Sequence, residues 1–128
     1  MQHFVVNIDV DQAAALLQAA VAAYPMGLVA HINGQANCAK KNIAVPADQI
    51  LEVFRPDFAI RVWKAEKTAG IDIPLRIYLF DQDGKTHVLF RTPHEVFAPY
   101  NNAALMNIAE ELAPIFNTLL SALDPYKI

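Results

Sequence analysis

One cysteine, four glycines and one tryptophan in 128 residues remove several classes of function before any motif is sought. A lone Cys38 cannot form an internal disulfide, which agrees with a reducing compartment. With so few glycines there is no glycine-rich loop whose backbone could cradle phosphates. The lysines and arginines are scattered and the net charge is −3. A phosphate backbone calls for a clustered cationic footprint, so no nucleic-acid partner is expected. Lys40 and Lys41 read as a solvated helix end. No apolar run approaches the roughly 18 residues of a membrane span. The opening "MQHFVVNIDVD" has no basic stretch ahead of a long apolar one, which argues against a signal peptide and for a cytoplasmic location.

What the chain does have is apolar content. Hydrophobic residues make up 55% and charged residues 18%, a balance that excludes disorder. A chain of this length buries about two-thirds of its extended surface in one core. With no linker, repeat or low-complexity tract, residues 1–128 are expected to form a single domain.

"HFVVNI" is rich in β-branched residues and alternates, so it predicts a strand. Asp9 followed three residues later by Gln12 resembles a capping box. Leu16, Leu17, Ala20, Val21 and Tyr24 then share one helical face, and Pro25 and Gly27 stop the helix. "LVAHI" and "ILEVF" read as strands, with a short helical or irregular segment, "NGQANCAKKN", between them. "DFAIRVWKAEKTAG" predicts a helix burying Phe58, Val62, Ala65 and Ala69, with Gly70 as a left-handed cap. Pro74 has no amide hydrogen to give a ladder, so it fixes where the strand "LRIYLF" begins. Asp72 is expected to bond nearby backbone in the turn. "DQDGK" carries turn chemistry, and "THVLFR" returns as the hairpin partner. A three-residue loop would set Tyr78 against Val88; a four-residue loop would set it against His87. After Asn101 and Asn102, a broad stripe of Leu105, Ile108, Ala109, Leu112, Ile115, Phe116, Leu119 and Leu123 predicts a long helix. Pro114 should bend or locally break it.

"GIDIPLRIYLFDQDGK" resembles the signature of the family called domain of unknown function 302, small bacterial and archaeal proteins. "VFRP" and "CAKKNIAVP" are similar to that family's upstream segments, and the resemblance spans roughly residues 27 to 100. It implies an α+β fold: a mixed, mostly antiparallel sheet of about five strands backed by helices, with a long C-terminal helix, in proteins that are frequently homodimers. It implies no activity. Two positions depart from the family pattern. Arg55 stands where the family has Asn, a good N-cap, so Asp57 is expected to compensate at the positive helix end. Asn33 and Gly34 stand where relatives often carry an Asp-His pair.

No cluster assembles a known reaction centre, and no catalytic residue is assigned. Neither a nucleophile elbow nor a cysteine-protease signature surrounds Cys38, which reads as a structural thiol. Asp81 and Asp83 belong to a turn, Asp9 and Asp11 to a helix start, and Glu110 and Glu111 to a solvated helix side. Arg55, Trp63, Arg76 and Tyr78 are the ligand-binding candidates, since a tryptophan with neighbouring arginines suits a pocket wall for an anion or an interface anchor. Core flanking is the plainer role for Trp63. The expected function is a small binding module, dimeric, for an unidentified small ligand or protein partner. The alternative is a soft-metal site of the copper type on Met26, His31 and Cys38, whose thioether, imidazole and thiolate donors suit Cu(I). Against it stands spacing far looser than a true metal-ligand pattern.

Overall fold

The computed structural model describes residues 1–24 and 26–128. Its frame is a five-stranded sheet of β1 (Gln2–Val6), β2 (Gly27–Asn33), β3 (Asp48–Phe54), β4 (Leu75–Gln82) and β5 (Lys85–Phe90). The order is β1-β5-β4-β3-β2, and every neighbouring pair is antiparallel. The expectation of a mixed, mostly antiparallel sheet thus resolves into a wholly antiparallel one. Among the described residues five α-helices accompany it: α1 (Val10–Ala23), α2 (Gly34–Ala39), α3 (Pro56–Ala65), α4 (Pro93–Phe97) and α5 (Ala103–Leu120).

Local chemistry starts these helices. Asp9 accepts from the Gln12 amide at 2.7 Å while the Gln12 side chain accepts from the Asp9 amide at 3.1 Å, the reciprocal cap expected for α1. Pro25, expected to stop that helix, lies outside the described residues. Pro56 opens α3; Arg55 supplies no side-chain cap and instead binds Asp57 in the first turn. Asn102 caps α5 by accepting from the Leu105 amide at 3.0 Å. Helix α5 runs unbroken across Pro114, and the Thr118 hydroxyl donates to the Pro114 carbonyl at 2.8 Å.

Alternation along the strands then sorts the side chains. Leu51, Val53, Leu75, Ile77, Leu79 and Val88 point to the helical side and are buried. There they meet Leu17 and Val21 of α1, Phe58 and Val62 of α3, and Leu105, Leu112, Phe116 and Leu119 of α5. The Phe90 and Phe116 rings meet edge to face, 5.7 Å apart. The anticipated stripe is the buried face of α5 as far as Leu119, with Ile115 half-buried at its margin; Leu123, also buried, lies beyond α5 in the 3-10 segment Ser121–Tyr126. Tyr24, placed on the buried face of α1, is exposed instead.

Three further expectations are corrected. Helix α3 ends at Ala65 and a 3-10 segment, Lys67–Asp72, follows. Gly70 sits in that segment without positive φ, pressed against the Trp63 indole where an added Cβ would lie 3.2 Å from the ring nitrogen. Its role is close packing rather than a left-handed cap. Asp72 accepts from the Tyr100 hydroxyl rather than from nearby backbone. Finally, neither hairpin register holds. Gln82 pairs with Lys85, so the loop is the two-residue Asp83–Gly84 and Tyr78 stands opposite Leu89. Asp83 (φ 57°) and Gly84 (φ 75°) both take left-handed backbone, the twist that matches flanking strands in a tight hairpin.

The two sheet edges differ. The C-terminal residues lie along β1: the Asn7 amide donates to the Tyr126 carbonyl at 2.9 Å and the Ile128 amide to the Val5 carbonyl at 3.0 Å. Strand β2 is the other edge, with Leu28, Val29 and Ile32 exposed and a register shift between Leu28 and Ala30.

Candidate functional site

The sheet face opposite the helices carries two of the candidate side chains, Arg76 and Tyr78. The ladder aligns His3, Leu89, Tyr78, Ile50 and Ile32 in one row across all five strands. A second row runs Val5, His87, Phe80 and Asp48. Leu89, Tyr78, Ile50, His87, Phe80, Val5 and Asp48 are half-buried, in contrast to the fully buried residues beside them in the strands. Rings pack along this face: Tyr78 on Phe80 and Phe80 on His87, each with centroids 5.0 Å apart. His3 Nε2 and His87 Nδ1 approach to 2.8 Å, so one ring nitrogen donates to the other.

Tyr78 is fixed within this surface by its hydroxyl, which donates to the Asp48 carboxylate. That hydrogen bond to a charged acceptor, with lesser help from burial and the nearby negative charge, pushes the Tyr78 phenol up to about 12. Asp48 is in turn crowded by Gly34, where an added Cβ would lie 3.2 Å from the carboxylate oxygen.

At one end of the face lies a cavity of about 490 Å³. Its floor includes Ile50, Tyr78 and Leu89, and its walls include Pro74, Val96 and Pro99. The turn into β4, helix α4 and the 3-10 turn Ala98–Tyr100 supply those walls, so the proline that starts the strand also shapes the site. Arg76 and Arg91 line the same space. Arg76 Nε lies 3.3 Å from Glu52, with its side chain 71% exposed. The two acids on the rim are already engaged. Asp72 holds the Tyr100 hydroxyl. Glu95 accepts from the terminal amine of Met1, from Gln2 at 3.0 Å and from the Thr92 amide at 3.1 Å. Those bonds, the terminal amine first, bring its carboxyl down to about 2.

The four ligand-binding candidates therefore separate. Arg76 and Tyr78 share the cavity. Arg55 lies at a shallow groove with Tyr24, Met26 and Leu28, its guanidinium held by Asp57 at 2.7 Å and placed over the Phe58 ring at 4.6 Å. The Asp57 hydrogen bond raises the Arg55 pKa and lowers that of Asp57. Trp63 is 45% exposed on α3, with the Lys67 ammonium 4.9 Å from its ring centre, and does not line the cavity.

The soft-metal candidates sit on different parts of the fold, Met26 just before β2, His31 on β2 and Cys38 on α2. Met26 is buried in the core. His31 has both ring nitrogens engaged, Nδ1 with Gln18 at 2.9 Å and Nε2 with Gln49 at 2.7 Å. Gln49, itself buried, donates onward to Asp11 at 2.6 Å, so the imidazole belongs to a satisfied polar chain joining α1 to the sheet. Cys38 is half-buried on α2. Among the described residues no group of three or more His, Cys, Asp or Glu side chains is placed to hold a metal ion.

Reasoning from sequence missed Asp48, Ile50, Leu89, Arg91 and Glu95. Strand alternation puts Ile50 and Tyr78 on the face away from the core, but their joining with Leu89 and Arg91 depends on the hairpin register. The only local signal for that register was the Asp83–Gly84 dipeptide.

Comparison with known proteins agrees with this architecture. A family model described as "Domain of unknown function DUF302" matches residues 2–123. A solved structure, "Crystal structure of uncharacterized conserved protein DUF302 from Bacillus stearothermophilus", is similar with a TM-score of 0.80 and 19% identity, over 95% of this chain and 96% of that one. At that identity the likeness speaks for the fold alone. No curated protein matches the chain.

Proposed function

Because the chain belongs to the DUF302 family, whose description names no activity, we propose a function from its own geometry. Residues 1–128 act as one binding domain, working as a homodimer, that holds a small molecule in the cavity on the uncovered sheet face. The observation that carries this reading is the cavity itself, about 490 Å³, within the range of roughly 300–1,000 Å³ typical of ligand pockets. An apolar floor of Ile50 and Leu89 beside a few polar groups (Arg76, Arg91, Tyr78) is the mixture such pockets use.

Binding is preferred to catalysis because the imidazoles are engaged with other side chains. His31 is held by two glutamines, His3 and His87 hold each other, and His94 meets Glu110 at 2.9 Å. The soft-metal reading draws no such support, since the Met26 sulfur is buried and the His31 nitrogens are occupied. The homodimer is supported by edge strand β2, "GLVAHIN", which carries no lysine, proline or acid to discourage pairing. One free cysteine is in keeping with a cytoplasmic location.

Native mass spectrometry of the protein purified from its own host should find a retained small molecule. NMR with that molecule should move the signals of Ile50, Tyr78 and Leu89 together. Shifts confined to residues outside the cavity would overturn the assignment. Light scattering should give twice the 14.2 kDa chain mass; a strict monomer at micromolar concentration would remove the dimer.

A further inference from the structure

Ile77 pairs with Phe90 at the last rung of the β4–β5 ladder, and Arg76 and Arg91 are the residues just beyond that pair on either side. Both belong to the uncovered face, and both line the cavity. Two like charges gathered at one cavity repel each other. The arrangement calls for a counter-anion, and the chain provides little. Glu52 makes one 3.3 Å contact to Arg76. Arg91 is exposed and forms no hydrogen bond or ion pair through its side chain among the described residues. Asp72 and Glu95 on the rim are taken by Tyr100, by the terminal amine and by Gln2.

We infer that the Arg76–Arg91 pair receives the carboxylate of a small apolar acid whose hydrocarbon body lies over Ile50, Tyr78 and Leu89. This rests on reading the cavity as the ligand site and adds the ligand's chemical class. A planar guanidinium matches a carboxylate with two parallel donors. A monoanion fits better than a dianionic phosphate, because the Asp72 and Glu95 carboxylates at the rim repel each added negative charge. The cavity floor is apolar at Ile50 and Leu89, so a bare inorganic anion would leave the floor unused.

The test is calorimetric titration of the full chain with octanoate, octanol and octylamine below their aggregation limits, with NMR to locate each. Octanoate should bind in the cavity at least about tenfold more tightly than octanol, the scale of one hydrogen bond to a charged group, and octylamine should not bind. Arg91→Gln and Arg76→Gln should each weaken octanoate by about tenfold and leave octanol unaltered. Equal affinity for octanoate and octanol, or octanoate binding indifferent to both substitutions, overturns the carboxylate assignment while the cavity stands as a site for neutral ligands. If none of the three compounds moves the Ile50, Tyr78 or Leu89 signals, the cavity reading itself fails, and the carboxylate assignment with it.

Discussion

Tyr78 on β4 donates its hydroxyl to Asp48 on β3, crossing the ladder diagonally, since the direct partners are Tyr78 with Ile50 and Asp48 with Phe80. The bond ties the centre of the uncovered face to the start of β3 and holds the ring as part of the cavity floor. It is the main cause of the upward shift of the phenol.

A titration follows from that bond. The Tyr78 phenol should ionise at about 12, against an ordinary value of 10.0. The folded-state value is the higher one, so the contribution to stability is whole below pH 10 and disappears as pH rises towards 12. Asp48→Asn removes the charged acceptor and should return the transition towards 10.0. Absorbance at the tyrosinate band, resolved by comparison with Tyr78→Phe, measures both. A Tyr78 transition that stays put in Asp48→Asn would show that the hydrogen bond is not its cause.

Gly27→Ala tests the close approach of β2 and β3. Gly27 stands opposite Phe54, and an added Cβ would lie 2.8 Å from the Phe54 carbonyl oxygen. Backbone cannot swing aside as a side-chain tip can, so the strands must part locally. Overpacking of this kind typically costs about 1–3 kcal/mol, read as a lowered urea midpoint at unchanged slope. An unaltered midpoint would mean that this edge yields freely.

The hairpin gives a contrasting pair of substitutions. Gly84 sits at φ 75° with nothing within 4 Å of an added Cβ, so Gly84→Ala meets backbone strain and no clash. The expected loss is about 1–2 kcal/mol, the usual penalty for a left-handed alanine. Asp83→Asn, at φ 57°, should be nearly neutral, because asparagine tolerates the same region. Equal losses from the two changes would place the cause in the Asp81 contact to the Gly84 amide at 3.2 Å rather than in φ.

These residues also mark what could be read from sequence. The Asp9–Gln12 box, the Pro74 strand start and the α5 stripe were legible because their physics is local, set within a few residues by capping, a missing amide or helical spacing. Arg76 and Tyr78 were found as polar residues beginning a strand. Arg91 was not, because its sharing a cavity with Arg76 depends on a hairpin whose turn lies seven or more residues away from either. Asp72 misled for the same reason: its partner, Tyr100, is 28 residues distant. Grouping Arg55 and Trp63 with Arg76 and Tyr78 assumed that nearness in sequence persists in space, whereas Arg55 lies at the groove beside Tyr24 and Leu28 and Trp63 is on α3, neither lining the cavity.

Thr92→Ala tests how the cavity wall is held. Thr92 accepts from the Glu95 amide at 3.1 Å, and Glu95 returns the bond to the Thr92 amide at 3.1 Å, so this box starts the five-residue α4. A helix that short has little intrinsic stability and depends on its cap and on the buried Pro93 and Phe97. Removing the hydroxyl should cost about 1 kcal/mol, and Thr92→Ser should restore most of it. Amide exchange should then quicken over residues 94–97 while the β3–β4 ladder stays protected. Since Glu95 and Val96 line the cavity, octanoate affinity should fall with the protection of α4. An affinity that holds steady while α4 loosens would show that the floor and the arginines alone retain the ligand.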